Sequence, residues 1–528
     1  MRPLSLIEGK GFKDFLTLVD PRYKPICRNT MLERYIVPMY HLTVKDVKRQ
    51  IAAAPAHSFT TDAWTNRKME SFVTTTVHYV DPNNFELKCH VLDTISAPGS
   101  HTAERLSSDM QTVESKWGLQ NVVGISDNAS NIRAAFLHHK IPFLGCFAHT
   151  INLAVNKGLD DTGVRRLVGK VKSLVSTFKH SYLKTEDLKR NEKLLDIKEL
   201  QLTQDVATRW NSVFYMCDRL LLVYPAVYAS LYNSPDSHLL LSDDERRNVE
   251  ELISILKPFE KATRVISQEK QPTAGLILPY LQHFTTRKLA EKDSDSKLVK
   301  NVKKAMRTDF NKRYDSEEQQ KLLSIVSVLD PRVRTLSWMN NEDKDKVYDE
   351  LREITVKLCR PASCPASASV AVSSDSEPED QTENPTKRQR KSPTMATNAN
   401  NNDESDDDLD GLICVEQEEL KSNDKIEHEI DMEIENYKNE KSYGLAYMES
   451  MQWWQTNKCK YPYLAKAVLH YLHVPGSSAP SERVFSSAGN VYNKREHLSP
   501  ENANMMVFLY HNYEQSMPAV HQNWPTDE

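Results

Sequence analysis

His57-Ser58-Phe59-Thr60-Thr61-Asp62-Ala63-Trp64, Ser71–Val80 (SFVTTTVHYV) and Phe85–Ile95 (FELKCHVLDTI) are the stretches on which the fold turns. Each is rich in β-branched and aromatic residues, and polar or Asp81-Pro82-Asn83-Asn84 turns separate them, so three consecutive strands are expected. Thr102–Trp117 follows with helical composition. Val122-Val123-Gly124-Ile125 is then a short apolar run of the buried-strand type, ending in Ser126-Asp127-Asn128. A further helix carries the chain to about Gly158.

Three strands, a helix and a short strand closed by Asp are the order of an RNase H-like core. The expected class is therefore α/β, with the first part of that core over 57–160 and a helical segment, 1–56, before it. From 161 to 360 the chain reads as mostly helical. Val164, Val168, Val171, Val175 and Phe178 recur at three and four residues and give one apolar stripe. Arg165, Lys172 and Lys179 recur at seven beside it, and Lys300, Lys303, Lys304 and Arg307 form a second basic stripe. Such stripes are either solvated faces or phosphate contacts, because binding to a DNA backbone needs only positioned positive charge.

The 528 residues carry 68 Lys+Arg against 73 Asp+Glu, a net charge of −5, which excludes a wholly basic nucleic-acid binder. No apolar run approaches the roughly 18 residues of a membrane span, so no membrane partner is expected. Eight cysteines show no paired C-x2-C spacing; they read as reduced thiols, and no zinc site is identifiable. Pro361–Asp410 lacks aromatics and is dominated by Ser, Pro, Asn, Asp and Glu, so 361–412 is expected to be a disordered acidic linker. Within it, Lys387-Arg388-Gln389-Arg390-Lys391 is either part of a charge-balanced linker or a nuclear import signal; the second reading implies an import receptor as partner and the nucleus as location. In the last segment, 413–528, Trp453, Trp454, Leu464, Val468, Phe508 and Leu509 supply more apolar surface than a few helices can bury alone. They must pack onto the earlier core, onto another subunit, or both, and self-association through them is expected.

Asp62 and Asp127 both stand at strand ends. If those strands are neighbours, the carboxylates converge and can share divalent ions; otherwise each is ordinary turn chemistry. Glu482, in Ala479-Pro480-Ser481-Glu482-Arg483, either complements a helix dipole or is a third ligand that returns from far along the chain. Cys146-Phe147-Ala148-His149 is half of a zinc pattern, and reads better as a structural pair at a strand-to-helix junction. Arg209-Trp210 suits stacking on an unpaired base, or a buried Trp.

FTTDAWT, GISDNASNI, CFAHTINL, TRWNS, the paired VDPRYK and VLDPRVR, and PSERVFSSAGN followed by KREHLSPENANMMVFL occur in that chemical context. Together they resemble the hAT superfamily of DNA transposases and, within it, the vertebrate BED-finger (ZBED) proteins. The resemblance implies an RNase H-like core interrupted by a long all-α insertion, with a C-terminal hAT dimerisation region that completes the core. It implies that Asp62, Asp127 and Glu482 are the three catalytic carboxylates, with Mg2+ or Mn2+ as cofactor if the chain is active. Cys146 and His149 match the family's C-x2-H element, and Trp210 matches a Trp acting beside a DNA hairpin end. No Cys-x2-Cys with a downstream His pair precedes residue 57, so a BED finger is expected to be absent from this chain. Two functions follow from the resemblance. One is a nuclear, DNA-binding, dimerising regulator of transcription or chromatin, one ZBED subgroup resembling a SUMO ligase. The other is an active transposase performing metal-dependent strand cleavage and transfer. The first is expected because host genes derived from transposases can keep the fold without the reaction; the retained carboxylates speak for the second.

Overall fold

The computed structural model describes residues 4–66, 68–206, 209–360, 424–441, 449–494 and 499–522. Lys387, Arg388, Arg390 and Lys391 lie outside the described residues, as does the rest of the linker. After α1 (Lys10–Val19) and α2 (Val37–Ala53), strands β1 (His57–Thr65), β2 (Ser71–Val80) and β3 (Leu87–Ser96) form an antiparallel meander. β4 (Val122–Ser126) lies parallel to β1, and β5 (Phe143–Gly145) parallel to β4, giving the sheet order β3-β2-β1-β4-β5. A parallel neighbour requires a crossover. It is made through α3 (Ala103–Trp117), which begins at Thr102, whose side chain accepts the Arg105 N–H, and stops at Gly118 with φ of 68°. α4 (Ser130–His139) then lies so close to β4 that a Cβ on Gly124 would stand 1.9 Å from Phe136 Cε1. The three-residue β5 is an element that the sequence pattern did not announce, being too short to show a period.

The helices that follow are α5 (Phe147–Leu159), α6 (Thr162–Lys179), α7 (Tyr182–Leu194), α8 (Trp210–Leu231), α9 (Asp243–Ile266), α10 (Ile277–His283), α11 (Lys297–Phe310), α12 (Glu317–Leu329) and α13 (Asn341–Cys359). Val171, Leu174, Met216, Leu220 and Val227 form a core of their own between α6 and α8. A larger core joins Ile125 and Leu144 of the sheet to Ile151, Phe259, Phe310 and Leu329 of the helices.

The C-terminal segment contributes α14 (424–438), α15 (Ser450–Asn457), α16 (Pro462–Tyr471), α17 (Ala479–Lys494) and α18 (Pro500–Gln522). α14 lies along α13, with Arg352 Nη2 3.2 Å from Glu427 Oε2 and Arg360 Nη2 2.6 Å from Glu427 Oε1. Trp453, Trp454, Leu464 and Val468 are all buried in the larger core. Trp454 is fully enclosed, and its Nε1 donates to the Leu329 carbonyl at 2.9 Å. Phe508 and Leu509 are likewise buried, against α2 and Trp117, with the Phe508 and Trp117 rings 5.7 Å apart. Of the alternatives set for these six residues, packing onto the earlier core is the one seen: among the described residues their side chains are buried against the chain's own sheet and helices, and they are not themselves an exposed interface.

α18 also closes the sheet. It packs along the edge strand β3, where Asn504 and Asn512 meet backbone groups that no sixth strand satisfies. Asp93 of β3 accepts from Lys116 Nζ at 2.6 Å, Trp117 Nε1 at 2.9 Å and Asn504 Nδ2 at 3.0 Å, so one buried carboxylate joins α3, β3 and α18.

Candidate functional site

β1 and β4 run parallel with Thr60 beside Ile125, so Asp62 and Asp127 stand at matching positions just beyond that pairing. Ser126 Oγ donates to the Thr61 carbonyl at 2.8 Å and ties the end of β4 to the middle of β1, so Asp62 lies inside its strand and not at the strand end expected from the sequence. Asp127 is also turn chemistry, its carboxylate accepting the Ala129 N–H at 3.2 Å. The expected third carboxylate arrives from the far end of the sequence. The Phe147 N–H donates to the Gly476 carbonyl at 2.9 Å, and the Gly476 N–H donates to Thr273 Oγ1 at 2.8 Å. Two residues later Ser478 is fixed beside β5, and α17 begins. Its first turn carries exposed Glu482, and the helix packs across β1, β2 and β3. Arg483, a residue the sequence reading passed over, pairs with Glu269 and donates to the Ser267 carbonyl, so this turn is anchored to the end of α9.

Asp62 feels the other two carboxylates. Asp62 is half-buried, and burial first, then the charges of Glu482 and Asp127, push its pKa up to about 8. A cluster that holds a proton at neutral pH in this way is one that a cation would relieve. The donor set suits a hard divalent ion, but among the described residues no three His, Cys, Asp or Glu side chains are drawn close enough to hold one.

Cys146 explains the C-x2-H spacing without zinc. It is the N-cap of α5, and its Sγ accepts the backbone N–H of His149 at 3.4 Å, the position three residues into a helix that a cap serves. The same sulfur accepts the Ser478 N–H at 3.3 Å, which ties the start of α17 to the end of β5. Burial raises the Cys146 thiol pKa. Tyr314, also missed from the sequence, donates to the Gly145 carbonyl at 2.6 Å and supports the same junction from α11's far end.

The expected DNA contacts separate into kinds. Trp210 is 4% exposed and packs in the larger core with Phe214 and Leu252, which corrects the stacking expectation: a base needs an open ring face. Arg209 beside it is exposed. On α6, Arg165 pairs with Asp160 at 2.8 Å and Lys172 with Asp205 at 3.1 Å, while Lys179 is exposed. On α11, Lys300, Lys304 and Arg307 form no ion pair among the described residues.

Three family models match this chain in order: the ZBED1 RNase-like domain over 60–140, the ZBED1 RNase-like helical domain over 144–255, and the hAT family C-terminal dimerisation region over 433–513. The chain belongs to the hAT family. Among its relatives, a Zea mays protein named "Putative AC transposase" is 23% identical over 93% of this chain and 60% of its own length. The human zinc finger BED domain-containing protein 4 is 21% identical over 96% of this chain and 42% of its own. The Arabidopsis thaliana zinc finger BED domain-containing protein DAYSLEEPER is 23% identical over 92% and 67%. This hAT chain thus spans between two fifths and two thirds of the length of these relatives, and the matched dimerisation region includes the helices that enclose Trp454 and carry Glu482.

Proposed function

We propose that this hAT chain is a nuclear, DNA-binding, self-associating protein derived from a transposase, acting on transcription or chromatin as a ZBED-type regulator. The observation that carries the reading is that α17 and the first part of α18, which the matched dimerisation region covers, pack onto the sheet of the RNase-like region, so both regions belong to one folded body. The strand order, and the return of α17 after the helices α5 to α13, support reading that body as an RNase H-like core with an all-α insertion. Sedimentation of the full chain and its retention on duplex DNA at about 100 mM salt test the proposal. A monomer that leaves DNA free would overturn it.

A second reading, metal-dependent strand cleavage and transfer, is favoured by one observation, the electrostatic coupling of Asp62 to Glu482 and Asp127. Those three carboxylates would hold Mg2+ or Mn2+, and the ions would supply charge stabilisation for phosphoryl transfer. The chain's own part is to bring the acids together through the Ser126–Thr61 and Ser478–Cys146 bonds and to keep one proton among them when no cation is bound. Nicking of DNA by wild type with Mn2+, lost in Asp127→Asn, is the expected result. Added Mn2+ should also raise the melting temperature, by an amount equivalent to about 2.7 kcal/mol at a hundred times the dissociation constant. Equal responses from wild type and Asp127→Asn would remove the metal site.

A further inference from the structure

We infer that the shallow groove between the C-terminal half of α5 and α11 is the track for the DNA sugar-phosphate backbone, with Lys157, Lys304 and Lys312 as its phosphate contacts; this rests on the DNA-binding reading above. The groove holds about 450 Å3, and all three lysines line it. Each is exposed, and none forms an ion pair among the described residues. Lys300 and Arg307 extend the same charge along α11. Asp309 is the acid in the groove wall, and Arg313 occupies it with bonds of 2.7 and 3.0 Å, so it does not neutralise the lysines.

Lysines from two elements share one groove because α5 and α11 pack closely at Gly158. A Cβ on Gly158 would stand 2.8 Å from Met306 Cγ and 3.1 Å from Val302 Cγ1, so a larger residue there would have to displace the Met306 side chain. The contrast with α6 is informative, since there the stripe seen in the sequence is largely satisfied by Asp160 and Asp205. With a net charge of −5, the molecule has no general attraction for polyanions, and an unpaired cationic groove is a local exception. Its position also fits the carboxylates. Cys146, the N-cap of α5, donates its N–H to the Ser126 carbonyl beside Asp127, and Lys157 lies about 16 Å further along the helix. That is roughly five base pairs of duplex.

The test is the full chain with Lys157, Lys304 and Lys312 all changed to Ala, titrated with a mixed-sequence DNA duplex over a series of salt concentrations. Loss of three phosphate contacts should make the slope of log K against log salt shallower by about 2.7 and weaken binding at least about tenfold at 100 mM salt. The triple change to Arg should retain binding, and Arg165→Ala with Lys172→Ala should stay within about twofold of wild type. Unchanged slope and affinity in the triple Ala variant would overturn the groove while leaving DNA binding intact. An equal loss from the α6 pair would overturn it as well, because general charge would then account for the effect. A wild-type chain that binds no duplex overturns both the groove and the reading it rests on.

Discussion

The side-chain amide of Asn512 binds the backbone of Val91 as a neighbouring strand would: Nδ2 donates to the Val91 carbonyl at 2.7 Å, and Oδ1 accepts the Val91 N–H at 3.1 Å. Asn504 Oδ1 accepts the Thr94 N–H at 2.7 Å, the Tyr492 hydroxyl donates to the Thr94 carbonyl at 3.0 Å, and Gln515 Nε2 donates to the Cys89 carbonyl at 3.3 Å. The exposed row of donors and acceptors that makes an edge strand a template for aggregation is thus occupied by side chains of α17 and α18.

Asn512→Leu should leave the Val91 N–H and C=O buried without partners, at a cost of about 2 to 4 kcal/mol. A lower urea midpoint and a tendency to aggregate are the expected readouts. A midpoint equal to wild type would show that the edge has another cover.

Trp454→Ala should damage the fold of each chain, by about 3 to 5 kcal/mol, because the ring is enclosed and its Nε1 bond to Leu329 is lost. Circular dichroism melting combined with sedimentation separates the alternatives. A well-folded monomer with wild-type melting would return Trp454 to the subunit interface.

Stability should pass through a maximum near neutral pH. Below about 6.5 the unfolded chain takes up protons that burial denies to His78, His90 and His473, whose pKa values are pushed down to about 3, 4 and 3, so stability falls as pH drops. Asp62 acts in the opposite direction. Between its ordinary 3.8 and about 8 the folded chain keeps a proton that the unfolded chain has released, so this contribution is lost as pH rises through 8. From pH 6.5 to 9 the melting temperature of wild type should therefore fall, and that of Asp62→Asn should stay level. Parallel curves would place the proton elsewhere.

Replacing Lys387, Arg388, Arg390 and Lys391 with Ala should leave a fluorescently tagged chain cytoplasmic at unchanged melting temperature; continued nuclear accumulation would dismiss the import signal. Shortening 361–423 to about ten residues should stabilise the fold, by roughly 1 to 2 kcal/mol, because Arg360 and Glu427 already meet and a shorter closed loop has less entropy to lose. Destabilisation on the same deletion would show that the segment makes contacts the fold depends on.

The strands around Asp62 and Asp127 were legible because β-branched runs and Asn-rich turns are local signals, but Asp62 does not close its strand: β1 runs on to Thr65, paired with β2, and only the pairing with β4 stops short of Asp62. Glu482 was legible only through resemblance. Its placement depends on Gly476, Ser478 and Arg483 meeting Phe147, Cys146 and Glu269, contacts that no periodicity encodes. The same limit explains Trp210 and Trp454: a pattern can mark a side chain as apolar, but not say whether the surface that covers it lies in the same chain. Pairing hides likewise, as Lys172 looks free in its stripe until Asp205, on the loop between α7 and α8, is placed against it.

The sheet is completed by residues made long after its strands. Val91 is synthesised 421 residues ahead of Asn512. At roughly 5 to 20 residues per second, the interval is on the order of 20 to 80 s, during which β3 stands uncovered beside a ribosome and its neighbours. Production of this protein is accordingly a race between elongation and edge-to-edge pairing of nascent chains, one that slow codons upstream of Pro500 would lengthen and a holdase chaperone would moderate. A message cut short before α18 yields a polypeptide whose sheet never closes, and its fate is clearance or aggregation rather than service as a competing half-subunit.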